Sequence, residues 1–404
     1  MEVVDVAVVG GGPAGALTAM LLAREGREVV LFERAPRWRW RACGVFASPA
    51  STTALREVGL SEDVIAAVAR PLVGMEVVSA RGTRFRLDYG GTGELADSAV
   101  GFDRGALDPL LLDLAREAGA SVRAGTTASI ARLEPDHAIV RAEGAQLGDV
   151  RARVLVGADG LRSRIALAAG VERRPALGTR AALTFHLAEA ESEVARPEPG
   201  LARMHVLRDG YCGLAPVLGG RVNVGIVLGR SWFPRLRRDR GWAVARQILG
   251  ALPERGASAT DVDRPLDWVA GAMPVGHAVS RRAGDSWLLV GDAGGFLDPF
   301  TGEGLHRAIV SAQLAAEAVA GLLAGRSSAG LAGYERAMRA RFGAKDAVSR
   351  LVQGFLGRPA LFEYAARRLA ARSHVRETMA LVIGDLAPAG RALDPRYLAA
   401  LLGP

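Results

Sequence analysis

Gly10, Gly12 and Gly15 fall in the run Gly10-Gly11-Gly12-Pro13-Ala14-Gly15, and an acid, Glu33, follows about twenty residues past them. That spacing is suited to holding a dinucleotide. Gly10 permits a tight turn, Gly12 lets backbone approach a pyrophosphate because no Cβ intervenes, and Gly15 lets a helix pack closely on a strand. Pro13 and Ala14 open the helix, whose free N–H groups and partial positive charge face the phosphates. Glu33 is placed to accept hydrogen bonds from a ribose. The elements this requires are legible: a short apolar strand at 6–9, the helix, then a second strand ending in Glu33. The match does not say which dinucleotide binds.

Two further segments carry the same kind of punctuation. Residues 154–164 (VLVGADGLRSR) read as a strand that breaks at Gly157, turns through Asp159-Gly160 and enters a helix. Residues 287–305 (WLLVGDAGGFLDPFTGEGL) are more specific. A buried strand delivers Gly291-Asp292 at its C-terminal end, where α/β sheets bind ligands, and Asp292 can accept hydrogen bonds from a sugar-alcohol chain. Pro299, Gly302 and Gly304 let backbone pass close to a flat ligand, and the helix that starts near Leu305 points its positive end there. A reduced flavin carries negative charge along its pyrimidine edge, which such a helix end stabilises.

With 404 residues the chain exceeds one simple core, and two intertwined domains are expected. The net charge of +8 is nearly all arginine, since Lys345 is the only lysine. No basic helix with base-reading residues and no interleaving of basic and aromatic residues accompanies it, so a nucleic-acid partner is not expected. Cys43 and Cys212 make neither a disulfide framework nor a metal site. No basic start or cleavage site marks a signal peptide, and no stretch reaches the roughly 18 unbroken apolar residues of a membrane span. The expectation is a cytoplasmic protein.

Helical patterns are expected at 52–58 and 62–70, a hairpin over 73–89 turning at Gly82, a helix at 106–118, a strand at 121–124 and a small hairpin over 127–150. From about 172 to 285 short alternating strands replace the βα rhythm, interrupted by a helix around 242–252. A long helix follows at 305–323, then a helical tail. The fold class is therefore α/β. A Rossmann-like dinucleotide-binding domain (1–70, 101–170 and 286–340) is interrupted by a mostly antiparallel β domain for substrate (71–100 and 171–285), with a helical C-terminal region (341–404).

GGGPAG…FER, VGADGLRSR and GDAGGFLDPFTGEGL, in this order and spacing, resemble the flavoprotein monooxygenases of the para-hydroxybenzoate hydroxylase type. Within them the chain is most similar to the geranylgeranyl reductase branch, through ACGVFASP at 42–49 and DPFTGEG at 298–304. The resemblance covers about residues 1–345. It implies non-covalent FAD, with Glu33 on the adenosine ribose, Arg104 (in FDRGALD) near the pyrophosphate or ribityl, Asp292 on the ribityl, and backbone at Gly302 and Gly304 on the ring. It links Asp159-Gly160 to both FAD and NAD(P)H. Arg34 and Arg41 flank the ribose-binding acid; Arg41 reaches the pyrophosphate or is a solvated loop charge.

One departure matters. The prenyl reductases have a Tyr-x-Trp-x-Phe-Pro segment that walls the substrate cavity. Here the stretch reads Tyr211-Cys212-Gly213-Leu214-Ala215-Pro216, so Gly213 stands for Trp and Ala215 for Phe. Two rings of 150–250 Å² each are gone. A wider pocket favours a hydrophobic or aromatic, polyketide-like substrate and its hydroxylation with O2 through a flavin C4a-hydroperoxide. The branch similarity favours reduction of alkene bonds in a prenyl or polyene substrate. A third reading is a non-catalytic flavin-binding or escort protein, against which all three motifs stand intact. Halogenation calls for a substrate-domain lysine, which the chain lacks. With no second Gly-x-Gly-x-x-Gly unit, NAD(P)H binds transiently or a partner flavin reductase supplies electrons.

No catalytic base stands out. His306, directly after the flavin-facing loop, is a proton relay or a helix-lining residue. Cys43 is a thiolate tuning the flavin or a small buried filler, and Cys212 packs in the sheet. Tyr211 lines the pocket or fills the core, and His186 and His205 read as satisfied sheet residues. The helices over 355–383, basic on one side, cap the pocket or meet a lipid surface, with the cap the expected role.

Overall fold

Near-continuous apolar runs such as Val-Asp-Val-Ala-Val-Val and Val-Val-Leu-Phe-Glu are what a parallel sheet covered on both faces requires. They form one. In the computed structural model, which describes residues 1–89, 94–95, 98–175, 179–189, 200–252, 264–326 and 330–403, strand Glu2–Val9 pairs in parallel with Val29–Glu33 on one side and Gly148–Gly157 on the other. Ser121–Ala124 extends the sheet beyond Val29–Glu33, and Trp287–Leu289 pairs in parallel with the end of Gly148–Gly157. The strands Thr126–Leu133 and Ala138–Gly144 add an antiparallel edge.

The registers explain how distant glycine motifs meet. Val9 lies opposite Gly157, and Gly157 lies opposite Leu289. Three neighbouring parallel strands thus end at one level, and the segments after Val9, Gly157 and Leu289 emerge side by side at their carboxyl ends. Ala158 N–H donates to the Val9 carbonyl at 2.8 Å, and Val290 N–H to the Gly157 carbonyl at 2.9 Å. Helices Pro13–Arg24 and Gly304–Leu323 pack together below this edge, with Leu17, Met20, Ile309 and Ala312 in a common core.

A second sheet runs in the order Ala270–Ala272, Ala181–Ala188, Arg221–Leu228, Gly210–Val217, Leu201–Leu207, Gly74–Val78, Arg84–Asp88. All its pairs are antiparallel except Gly74–Val78 with Leu201–Leu207. Alternation divides its residues cleanly. Leu183, Phe185, Cys212, Leu214, Val224 and Ile226 bury the outer face against helix Gly241–Leu249. The inner face, including Met204, Tyr211, Ala215 and Val227, shares a core with Phe300 of the glycine-rich loop and with the C-terminal helices Ala332–Leu356, Pro359–Ala371, Ser373–Ile383 and Pro395–Leu402.

Local departures from the sequence reading have local causes. The helix expected over 62–70 ends at Ala66, because Ala69–Leu72 is taken up as a strand against Ala99–Phe102. The helix expected from 106 begins at Arg104, where the Asp103 carboxylate caps the Gly105 N–H at 2.9 Å. A further helix, Phe233–Arg238, starts at a proline-bearing first turn that composition alone leaves unmarked.

Candidate functional site

The first turn of helix Pro13–Arg24 has no side-chain cap, and a Cβ built on Gly12 would meet nothing within 4 Å. Its first N–H groups therefore have no side-chain acceptor from a cap, as at an anion-binding helix end. Gly10, at φ +111°, could carry no side chain, since a Cβ would lie 2.3 Å from the Ala158 carbonyl oxygen. Gly15 is held for a different reason: a Cβ there would fall 2.0 Å from the Gly10 carbonyl oxygen. Glu33 is buried beside this turn. One carboxylate oxygen accepts from Gly11 N–H at 2.8 Å; the other accepts from Ala35 N–H at 2.9 Å and from Arg41 at 2.8 Å. Arg41 thus pairs with the acid, not with the pyrophosphate position, and Arg34 is exposed.

The third strand brings Asp292 to the same edge. Gly291 sits against the helix start, where a Cβ would be 2.8 Å from that of Ala14, and its N–H donates to Ser311 Oγ at 2.9 Å. Burial pushes the Asp292 carboxyl up to about 6, against the pull of Arg104 and Arg307. Burial alone would lower the Arg104 pKa, but its two-point pairing with Asp108, at 2.6 and 2.9 Å, keeps the guanidinium charged. Asp292, Arg104 and Cys43 thus share one electrostatic neighbourhood. Burial also pushes the Cys43 thiol up, which favours its protonated form.

Asp159, expected to contact nucleotide, uses both oxygens on its own connection: it accepts from Ser163 Oγ and from Arg164 N–H at 2.7 Å, starting helix Arg164–Ala168. Gly160 turns at φ +74° just before it. This Asp-Gly pair turns and caps the chain beside the crevice.

The glycine-rich loop closes the crevice from the other side. Pro299 begins a single 3-10 turn, Gly302 takes a left-handed φ of +69°, and a Cβ on Gly302 would strike Phe46 Cδ1 at 2.5 Å. Gly304 opens helix Gly304–Leu323, which also lacks a side-chain cap. Buried Asp298 anchors the loop. One oxygen accepts from Tyr211 Oη at 2.6 Å, Gln353 Nε2 at 2.7 Å and Phe300 N–H at 3.0 Å; the other accepts from Arg180 at 2.7 Å. Tyr211 is thus a buried tether whose ring packs edge-on against Phe300 at 5.1 Å. Burial and the Asp298 carboxylate hold its hydroxyl protonated.

His306 is placed as a helix-lining residue. Burial pushes it down to about 4, and its Nε2 accepts from Arg341 at 3.0 Å, which leaves it neutral. Cys212 lies on the outer face of the sheet, its thiol pushed up to about 12 by burial.

Across the inner face of the second sheet the registers align three rows. Ala182, Val227, Tyr211 and Val206 form the first; Thr184, Gly225, Gly213, Met204 and Val77 the second; His186, Asn223 and Ala215 the third. Gly225 and Gly213 are adjacent in the middle row, a two-residue floor between Thr184 and Met204, whose flexible end would lie 3.2 Å from a Cβ on Gly213. Pro216, next to this floor, has its carbonyl against Gly101. The floor looks onto the glycine-rich loop through Tyr211 and Phe300. It looks onto the 40–46 loop through Thr184, whose hydroxyl lies 3.4 Å from the Cys43 carbonyl.

Comparison with known proteins agrees with this geometry. Residues 3–349 match the family described as FAD binding domain. The chain is 32% identical over 324 residues to digeranylgeranylglycerophospholipid reductase 1 of Methanopyrus kandleri, covering 78% of this chain and 79% of that one. A flavoprotein/dehydrogenase structure from Cytophaga hutchinsonii superposes with a TM-score of 0.80 at 20% identity, covering 99% and 95% of the two chains. A structure described as a probable FAD-dependent monooxygenase from Pseudomonas aeruginosa superposes at 0.70 with 25% identity, covering 90% and 99%. No helix among the described residues is long and apolar enough to cross a membrane. The chain belongs to the FAD-binding-domain family, as an oxidoreductase of that flavoprotein group.

Proposed function

We propose that the chain uses FAD and O2 to hydroxylate a flat, hydrophobic ring system of aromatic or polyketide type. The observation that carries this reading is the Gly213–Gly225 floor. In a row whose one long side chain, Met204, is flexible, a planar molecule lies close to the sheet backbone, whereas a flexible prenyl chain gains most from side chains that follow its bends. In this reading Glu33 holds the adenosine ribose, the N–H groups after Gly12 hold the pyrophosphate, Asp292 and Arg104 flank the ribityl chain, and backbone at Gly302–Gly304 meets the ring. The residues fit the cofactor by three tests: an uncapped helix start after Gly12, a carboxyl raised to about 6 beside two arginines, and a second uncapped helix at the far end. Bound FAD would supply the redox chemistry with O2. The chain's own residues orient both partners and exclude water. Electrons come from NAD(P)H or a partner reductase.

A second reading, reduction of alkene bonds in a prenyl or polyene substrate, is favoured by the sequence likeness to the Methanopyrus reductase. Turnover under labelled O2 separates the two. Hydroxylation places one labelled oxygen in the product and consumes O2 with NAD(P)H; reduction proceeds without O2 and yields an unlabelled, more saturated product.

A further inference from the structure

The outer face of the second sheet carries charge that the crevice does not use. Helices Phe233–Arg238 and Gly241–Leu249 lie there, and residues 230–246 hold six arginines against one acid, Asp239, which pairs with Arg238 at 3.2 Å. Arg230, Arg237, Arg240 and Arg246 are exposed and have no carboxylate partner among the described residues. Arginines elsewhere, such as Arg104, Arg282 and Arg307, are bound to acids, so the excess positive charge here is local. Apolar side chains stand out from the same face. Asp267 is turned inward to the His186 backbone N–H at 2.9 Å, which leaves its neighbours Leu266 and Trp268 outward, 54% and 79% exposed; Met273 is 47% exposed. Val269 packs on the start of the second helix, where a Cβ on Gly241 would lie 3.6 Å from Val269 Cγ1. Trp268 and Arg240, each one residue from that contact, are therefore neighbours on the surface. Half-buried Trp232 lies under the Arg235 guanidinium, 5.1 Å from its ring centre.

We propose that this face is a docking surface for an anionic lipid bilayer, on which Trp268, Leu266 and Met273 enter the headgroup layer while Arg235, Arg237 and Arg240 meet lipid phosphates. Guanidinium groups, a tryptophan ring and long apolar side chains on one face match that layer, which is charged outside and apolar within. A nucleic acid or an acidic peptide satisfies the arginines and leaves Leu266 and Met273 without an apolar partner; a bilayer takes both. Each guanidinium at such a surface strengthens binding roughly fivefold, and salt screens that gain. The attachment is peripheral. Helix Gly241–Leu249 keeps Val244, Ala245, Ile248 and Leu249 in the core, and no helix among the described residues is long and apolar enough to cross a membrane. The docking face continues toward the crevice. Beyond Met273 the chain reaches Val275, whose N–H donates to the Arg180 carbonyl at 3.1 Å, and Arg180 holds Asp298 of the glycine-rich loop at 2.7 Å. The bilayer is thus a reservoir of apolar molecules on the side from which that loop is anchored, whichever reaction the cofactor supplies.

The test sediments the FAD-loaded protein with vesicles of phosphatidylglycerol and, separately, of phosphatidylcholine. The expected result is binding to the anionic vesicles at least about tenfold tighter than to the neutral ones, falling as salt is raised. Arg237→Gln combined with Arg240→Gln weakens it about 25-fold. Arg336→Gln combined with Arg350→Gln removes the same charge from helix Ala332–Leu356, on the opposite, inner face of the sheet, and leaves binding within about twofold of wild type. Trp268→Ser weakens binding about tenfold and removes most of the blue shift of tryptophan emission that accompanies it. All these side chains are exposed, so FAD content and thermal midpoint stay at wild-type values. No preference for anionic vesicles, an equal loss from the two arginine pairs, or unchanged binding by Trp268→Ser overturns the proposal. Capture on heparin or polyglutamate without sedimentation on vesicles overturns it too, and assigns the arginines to a soluble polyanion.

Discussion

In the proposed function Asp292 serves cofactor binding at the expense of stability. Its carboxyl is raised by burial, so in the cofactor-free protein it stabilises the fold below its unfolded pKa of about 4, and that contribution is lost as pH rises through about 6. Asp292→Asn should therefore stabilise the cofactor-free protein at neutral pH by roughly 2 kcal/mol, measured by urea unfolding, while lowering FAD affinity at least about tenfold. Asp285→Ala should leave FAD retention near wild type. His306 has the opposite sign. Its lowered pKa means that stability present above about 6.5 is lost as pH falls toward 4. His306→Gln should flatten acid unfolding over that window and leave the pH profile of turnover near neutrality unchanged. A proton relay at this position would instead remove an inflection from that profile. At this scale the sequence brought the glycines, Glu33 and Asp292 to one sheet edge, where the structure places them, because tight turns and close strand–helix contacts demand glycine there. It could not show that Arg41 pairs with Glu33, that Asp159 caps its own helix, or that Asp267 meets His186 across 81 residues. Those pairings depend on loop paths that no local pattern encodes.

Among the elements, the middle row of the second sheet sets what can lie against it. A Cβ on Gly213 would meet Met204 Cε at 3.2 Å, the flexible end of a side chain that can move. Gly213→Trp should therefore fold and keep FAD, yet lower turnover of a planar substrate at least about tenfold by filling the floor; unchanged turnover measured at wild-type FAD content would remove the floor from the account. Period-two alternation at 181–188 and 221–228 made these strands legible, and outer-face Leu183, Phe185 and Cys212 separate from inner-face Thr184 and His186 as alternation requires. The strand at 69–72 was not legible, since its partner at 99–102 is what converts a helical pattern into a strand.

On the scale of the whole molecule, buried polar groups join the C-terminal helices to the crevice. Lys345 donates to the Val382 carbonyl at 2.6 Å, the Ile383 carbonyl at 3.1 Å and Asp385 Oδ1 at 2.8 Å, placing its charge on the C-terminal end of helix Ser373–Ile383. Asp385 also accepts from Ser48 Oγ at 3.0 Å, and Gln353 reaches Asp298 in the glycine-rich loop. Lys345→Met strands the Asp385 carboxylate and should cost about 3 kcal/mol in urea unfolding, with the C-terminal helices the first region to become protease-sensitive. The sequence placed these helices against the pocket in general terms; the single lysine that pins them was visible as a rarity but not as a contact.

In the proposed function three parallel strands ending at one level hold an extended FAD whose ring lies between the Gly302–Gly304 backbone and the Gly213–Gly225 row. A crystal structure of the FAD-loaded protein tests it most directly. The expected result is the adenosine ribose at Glu33, the ribityl chain beside Asp292, and a flat space between the flavin ring and the two glycines that a planar ligand can enter. A flavin ring directed away from the second sheet, or that space filled by side chains of the chain itself, would contradict it.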